Sequence, residues 1–328
     1  MPNDKINLWH YTNLDGLKGI ISNQHLWATD YRYLNDSSEL VYSKIILQRE
    51  VFPRVVATIK QEYDADQCVR QNVDAQGGIE RVAQMETSET LDILYESLLN
   101  PPPLKRNIPY ILCFCKADEE DDFLQKHGLL SQWRGYGKDG GFAIVFNMEK
   151  LHEEFKIEQT EFYNNISQYG DVVYDPDEAS ATDEIKKAIN RVVEHAHKVF
   201  KSPKYGLPIQ EINWVDDFAS LVRCAMLLKH KGFSEENEYR FYAFPYCEKE
   251  DDKNKSIKQI MTRSSSGLLV PYIKLFERSK MLPIERICIG PHKDTKLREQ
   301  SIKSYLGTIG QDRIEVFCSE IPFIGQSA

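Results

Sequence analysis

Hydrophobic positions along this chain recur with two different periods, and the period switches several times. Leu8 to Thr12 reads as a short strand. Asn13 then stands as a helix N-cap, with Leu14, Leu17, Ile20 and Ile21 at helical spacing. Leu26 to Thr29 reads as a second strand, and Ser37 or Ser38 opens a helix carrying Leu40, Ile45 and Ile46. Residues 52–100 read as helical: Val55, Ile59, Tyr63 and Val69 form one stripe, and Leu91, Leu94, Tyr95, Leu98 and Leu99 another. Gln76-Gly77-Gly78 interrupts these stripes. Pro101-Pro102-Pro103 ends them, because proline cannot continue a helix.

Strand patterns follow at Ile108 to Cys115, Gly141 to Asn147 and Asp171 to Asp175, with Asp118 to Asp122 as a solvated acidic loop. Two helices come next. Ile185, Ile189, Val192, Ala196 and Val199 mark the first, and Trp214, Phe218, Leu221, Ala225 and Leu228 the second, with Gly232 past its end. Strands return at Glu238 to Phe244, Leu268 to Ile273, Glu285 to Ile289 and Arg313 to Cys318, and a helix from Thr295 to Tyr305 separates the last two. Short strands among helices, without steady β-α-β alternation, predict an α+β fold rather than a doubly wound parallel sheet. No break in composition divides the chain. The expectation is one domain over residues 1–328, with the helices of 52–100 inserted into it.

Composition narrows the classes. Of 328 residues, 41% are hydrophobic and 28% charged, which excludes a disordered chain and a small disulfide scaffold. Asp+Glu at 50 against Lys+Arg at 41 gives a net charge of -9, which argues against a generally basic nucleic-acid surface. The seven cysteines are odd in number and form no C-x-x-C pair, as expected of free thiols in a reducing cytoplasm. Met1-Pro2-Asn3-Asp4-Lys5 carries no apolar leader, and no apolar run approaches a membrane span. Aromatics reach 11%, mostly Tyr (17) and Phe (15).

Standard motifs are missing: the phosphate-binding G-x-x-x-x-G-K-[ST], the dinucleotide G-x-G-x-x-G, H-E-x-x-H and G-x-S-x-G. His195-Ala196-His197 spans two residues of a helix, so its rings do not face each other, and a solvated helix face is expected there. Four polar segments remain. In Trp9-His10-Tyr11-Thr12, His10 is either a satisfied core histidine or a ligand-facing ring. In the Tyr31–Glu39 run, Asn35-Asp36 suits helix capping, and Arg32 pairs either a phosphate or a nearby acid. In Ser131-Gln132-Trp133-Arg134-Gly135-Tyr136, Trp133 and Tyr136 can stack on a flat ring and Arg134 can fork onto a phosphate. The alternative there is a glycine-rich hairpin turn with aromatic packing. In Glu238-Tyr239-Arg240, the acid and the base share a strand face, either as an ion pair or as part of a site.

Taken in order, these segments resemble a bacterial family, domain of unknown function 2971. The resemblance rests on His10-Tyr11-Thr12, Asn35-Asp36-Ser37-Ser38-Glu39, Cys113-Phe114-Cys115, Ser131-Gln132-Trp133-Arg134-Gly135-Tyr136, Glu236-Asn237-Glu238-Tyr239-Arg240, Ile289-Gly290-Pro291 and Ser319-Glu320-Ile321-Pro322. Cys115 departs from the serine more usual there, and the 52–100 stretch lies outside the shared pattern. More distantly, the opening strand-helix-strand is similar to the ADP-ribosyltransferase superfamily. That likeness implies a mixed, mostly antiparallel sheet and NAD as substrate without a metal. It implies His10 against the NAD ribose and amide, and Glu238 as the catalytic carboxylate. Arg32 or Arg134 would meet the phosphates, and Tyr31, Trp133 or Tyr136 would stack on the ring. Tyr11, Thr12, Asn35 and Arg240 complete the implied NAD-binding set.

A carboxylate near the ribose would stabilise the oxocarbenium charge that forms as the nicotinamide leaves. The superfamily's habit adds an expectation of a cytoplasmic antiphage or toxin effector with an unspecified acceptor macromolecule and a protein partner. Two other readings stand beside it. One is a non-catalytic nucleotide- or partner-binding protein on the same fold, favoured if Glu238 is held by Arg240 away from His10. The other is a defence nuclease, which needs a carboxylate cluster for Mg²⁺, with Asp118 to Asp122 the densest acidic run.

Overall fold

The computed structural model describes residues 6–34, 39–99, 108–118, 120–137, 140–174, 183–201, 222–245, 255–265 and 267–322. In chain order the elements begin β1 (Asn7–Thr12), α1 (Leu14–Asn23), β2 (Leu26–Asp30), α2 (Glu39–Ala65), α3 (Gln67–Ala75), α4 (Ile79–Leu99) and β3 (Tyr110–Ala117). They continue α5 (Asp122–His127), α6 (Leu130–Tyr136), β4 (Phe142–Asn147), α7 (Met148–Glu161), β5 (Phe162–Asp171), β6 (Val173–Tyr174) and α8 (Asp183–Phe200). The helical residues 222–227 form α9. The chain closes with β7 (Leu228–Lys229), β8 (Glu238–Pro245), β9 (Ser256–Ile257), β10 (Met261–Ser265), β11 (Leu268–Leu275), β12 (Ile284–Ile289), α10 (Thr295–Thr308) and β13 (Glu315–Cys318). None of the described helices is long and apolar enough to cross a membrane.

The chain divides into two compact units: Met1–Asp30 with Tyr110–Asp171 and Phe233–Ala328, and Tyr31–Pro109 with Val172–Gly232. The first unit is an α+β fold on an eleven-stranded sheet of order β10-β11-β2-β3-β1-β4-β12-β13, with β8 on β3, β5 on β8 and β9 on β5. Its pairings are antiparallel except β12–β13 and β5–β9. The parallel pair β12–β13 needs a crossover, and α10 supplies it. Asn13 caps α1 by accepting the Gly16 N–H at 2.8 Å, and Leu17, Ile20 and Ile21 form its buried face. Asn147 caps α7 in the same way through Lys150 N–H at 2.9 Å.

The second unit holds α2, α3, α4 and α8, with the two-stranded β6–β7. The expected 52–100 helices lie within it. Gly77 and Gly78 separate α3 from α4 at φ 98° and 96°, values that favour glycine. A second break comes at Asp66, which caps α3 through the Cys68 and Val69 N–H groups.

Several expectations need correcting. Trp133 to Tyr136 lies on helix α6, not on a hairpin turn. Leu228 sits in strand β7 rather than ending a helix, and Gly232 lies in a 3-10 turn, Lys231–Glu236. His195 is buried rather than solvated, because α8 also buries Val192 and Ala196 on that side, while His197 meets Glu62 at 3.2 Å. The strand expected at Asp171 to Asp175 is the tail of the longer β5, followed by β6. Ser37, Ser38, the Pro101–Pro103 run, Trp214, Phe218 and Leu221 lie outside the described residues.

Candidate functional site

Strand β3 carries the central geometry. Along one edge it pairs continuously with β8, from Tyr110↔Ala243 to Cys115↔Glu238. Its other edge is shared. β1 takes Cys115 to Ala117, and β2 takes Tyr110 and Ile111. β1's register on β3 ends at Trp9↔Cys115 and β2's at Thr29↔Ile111, so the two strands part between those positions as the arms of a fork. β1 continues against β4 as far as Thr12↔Phe142, and β2 against β11.

His10 sits at this fork. Its Nδ1–H donates to the Cys113 carbonyl at 3.1 Å, and its ring lies 5.5 Å from the Phe114 ring. Burial lowers its pKa below 6.5, outweighing the Cys113 hydrogen bond, which raises it. The neutral ring is therefore the Nδ1–H tautomer, and Nε2 keeps its lone pair as an acceptor. The residue is half-buried.

Register fixes which face each candidate occupies. Directly opposed residues share a face, and faces alternate along a strand. Trp9 opposes Cys115 and Cys115 opposes Glu238, so Trp9, Tyr11, Cys115, Cys113, Glu238 and Arg240 share one face. His10 points the other way, with Leu8, Phe114 and Ile144. The sheet thus does not bring His10 and Glu238 onto one face. Glu238 is instead clasped by Arg240, Nε to Oε1 at 2.8 Å and Nη2 to Oε2 at 2.9 Å, with both side chains buried. Gly170 stands opposite Arg240 on β5 and puts no side chain beside the guanidinium.

Tyr11 and Trp133 belong to a core with Trp9, Cys115, Ala143, Val145 and Cys288. Their rings meet edge to face at 4.8 Å. Tyr11 Oη accepts the Leu129 N–H at 2.8 Å, and Trp133 Nε1–H donates to the His127 carbonyl at 2.9 Å. That carbonyl also accepts the Ser319 hydroxyl at 2.7 Å. Cβ atoms added at Gly128 or Gly290 would stand 2.9 Å and 2.7 Å from the Trp133 ring. Thus the Ser131–Tyr136, Ile289–Pro291 and Ser319–Pro322 segments converge on one packed indole. Trp133 is walled in by protein and offers no open ring face to a ligand.

Arg134 and Tyr136, by contrast, are exposed at the C-terminal end of α6, and Thr12 is half-buried. Tyr31 and Arg32 stand on a 3-10 turn, Tyr31–Tyr33, in the second unit. Asn35 lies outside the described residues. Asp118 and Glu120 to Asp122 are exposed, and Asp121 caps α5 through Leu124 N–H at 2.9 Å. Among the described residues no group of three His, Cys, Asp or Glu side chains could hold a metal ion.

Sequence reasoning missed His152, on a helix whose pattern is mostly charged. Its ring stacks on Tyr169 at 4.1 Å, and its Nε2 is 2.8 Å from the Tyr239 hydroxyl. Burial lowers its pKa, reinforced by Lys156 and opposed by Asp171. Rings run from His10 through Phe114 and Phe241 to His152 on this face.

Comparison with known proteins places one family on part of this chain. Residues 132–241 match the family described as Protein of unknown function (DUF2971). The match includes Trp133, Arg134, Glu238 and Arg240, but neither the His10 strand nor the C-terminal Ser319 segment. No curated protein and no solved structure matches the chain.

Proposed function

We propose that this chain is a ligand-binding protein that takes a nucleotide of the NAD class at the β1/β2/β3 fork, with His10 as the contact residue. The observation that carries the reading is His10, whose Nδ1–H is tied to the Cys113 carbonyl where β1 and β2 part, which leaves Nε2 as an acceptor. Its Nε2 can accept a hydrogen bond from a ribose hydroxyl or a carboxamide N–H. The choice of NAD rests on the distant ADP-ribosyltransferase likeness. Glycosidic cleavage by Glu238 has less support, since both oxygens of that carboxylate are engaged by Arg240 on the face away from His10. In this reading Glu238–Arg240 is a structural clasp.

The test is calorimetric titration of NAD and ADP-ribose, with nicotinamide release followed in parallel. Saturable NAD binding that weakens about tenfold in His10→Ala, the loss of one good hydrogen bond, supports the reading. No binding at millimolar NAD, or binding indifferent to His10→Ala, overturns it. Nicotinamide release that disappears in a folded Glu238→Gln variant would restore the transferase reading instead.

A further inference from the structure

The outer strands of the sheet carry a second polar surface, built from β2, β10 and β11. Register places Trp27 opposite Lys274, Thr29 opposite Tyr272, Tyr272 opposite Met261, and Arg263 opposite Val270. Trp27, Thr29, Tyr272, Lys274 and Arg263 therefore share one face. Arg263 is half-buried. Its Nη2–H donates to Thr29 Oγ1 at 3.3 Å, and its guanidinium lies 5.9 Å from the Trp27 ring centroid. It has no carboxylate partner among the described residues, and its Nε is buried without a hydrogen-bond partner. Lys258, a buried cation whose ammonium reaches the Lys274 carbonyl, differs: it is matched by Glu158 and by Glu277 at 2.8 Å.

A partly desolvated guanidinium without a counter-charge is costly, and an anion with two oxygens in its plane removes that cost. Beside it Trp27 is 42% exposed although one ring face leans on Tyr272, 4.5 Å away at 32°. Its Nε1–H donates to His25 Nε2 at 3.2 Å, which fixes the plane of the indole. β10 is an end strand of the sheet, and no other described strand covers its outer edge.

We propose that Trp27 and Arg263 form a binding site for a nucleoside monophosphate, the base stacked on Trp27 and the phosphate forked by Arg263. An aromatic ring held rigid and exposed suits a planar base, and a half-buried guanidinium without a carboxylate suits a phosphate. Neither Trp27 nor Arg263 pairs with β3 or touches His10, so the site does not depend on the histidine of the fork.

The experiment compares AMP, adenosine and orthophosphate by calorimetry on the full chain. AMP is expected to bind about tenfold more tightly than either fragment, as two contacts in one molecule require. Arg263→Gln should reduce AMP to the affinity of adenosine, and Trp27→Leu to that of orthophosphate, each with the wild-type melting temperature. Should Arg263→Gln fail to fold, Thr29→Val removes the hydroxyl that orients the guanidinium, and the same loss is expected. AMP binding no tighter than adenosine, or unchanged in Trp27→Leu and the arginine variant, overturns the site. AMP affinity that falls only in His10→Ala assigns the nucleotide to the fork and overturns this site alone.

Discussion

Arg240 holds Glu238 in a fork-to-fork clasp, two parallel hydrogen bonds of 2.8 and 2.9 Å made inside the sheet's buried face. The two residues stand two apart on one strand and one face, and Gly170 opposite Arg240 leaves the guanidinium room. A carboxylate gripped in this way is a poor nucleophile orienter, because each oxygen already accepts from arginine and the side chain is buried on the face away from His10.

Removing one partner should therefore cost far more than removing both. Arg240→Met leaves a buried carboxylate without its arginine, and about 3–5 kcal/mol of stability should be lost. The double variant Glu238→Leu with Arg240→Met should lose much less than the sum of the single losses. Urea denaturation of the three variants measures this. Single variants within about 1 kcal/mol of wild type would remove the structural role.

His10 gives a pH dependence with a defined sign. Burial lowers its pKa below 6.5 in the folded chain. The unfolded chain thus binds the proton more tightly, and the histidine's contribution is whole above pH 6.5 and lost as pH falls through the lowered folded value. His25, His152 and His197 are lowered too, so the informative quantity is the difference between wild type and His10→Asn. That variant should show a shallower loss of stability on acidification. Nitrogen-15 shifts of the ring should report the Nδ1–H tautomer, and a dominant Nε2–H form would remove the acceptor on which the fork reading depends.

The opposite sign belongs to Glu158. Burial raises its carboxyl to about 7, against the attraction of Lys258. Stability from this group is whole below 4.5 and is lost as pH rises through about 7. Lys258 reaches it from under the Phe162 ring, with its ammonium 3.6 Å from the ring centroid, and also donates to the Lys274 carbonyl at 2.6 Å. Glu158→Gln should flatten the decline between those two pH values in a thermal-melt series. An unchanged slope would assign the decline to other groups.

Local chemistry made much of the fold legible and hid the rest. The Leu8, Leu26, Phe142 and Ile284 strands and the Asn13 cap were readable because their signals are apolar runs and a side-chain oxygen at a helix start. β5 was not: its Asn164, Ser167, Gln168 and Tyr169 show no period-two alternation, and its identity comes from pairing with β8. α6 was misread because Gly135 and Gly137 signal a turn, whereas the docking of Trp133 makes the helix. At the site, the residue types of His10, Glu238 and Arg240 were visible, but their faces were not. A strand's parity is local, yet β1's register on β3, which sets the faces apart, is a pairing across more than a hundred residues. Arg263 and Trp27 carried no motif, and only the β2–β11–β10 register joins them.

Trp133 supplies a final and separable test of packing. The three glycines Gly137, Gly141 and Gly290 form a seam beneath it. Gly290 N–H donates to the Gly141 carbonyl at 2.8 Å, and a Cβ on Gly141 would stand 2.4 Å from the Gly137 Cα. A Cβ on Gly290 would stand 2.7 Å from Trp133 Cε3 and 2.9 Å from the Gly141 oxygen. The indole cannot retreat, since its other side meets Tyr11 and its Nε1–H is tied to His127. Gly290→Ala should therefore overpack this core and cost about 1–3 kcal/mol. Trp133→Leu opens a cavity and should cost a few kcal/mol of its own. Combined, the smaller side chain at 133 removes one of the two clashes, so the double variant should lose less than the sum of the two single losses. Strict additivity in denaturation would show that the alanine is accommodated elsewhere, and that the glycine is not there for the tryptophan.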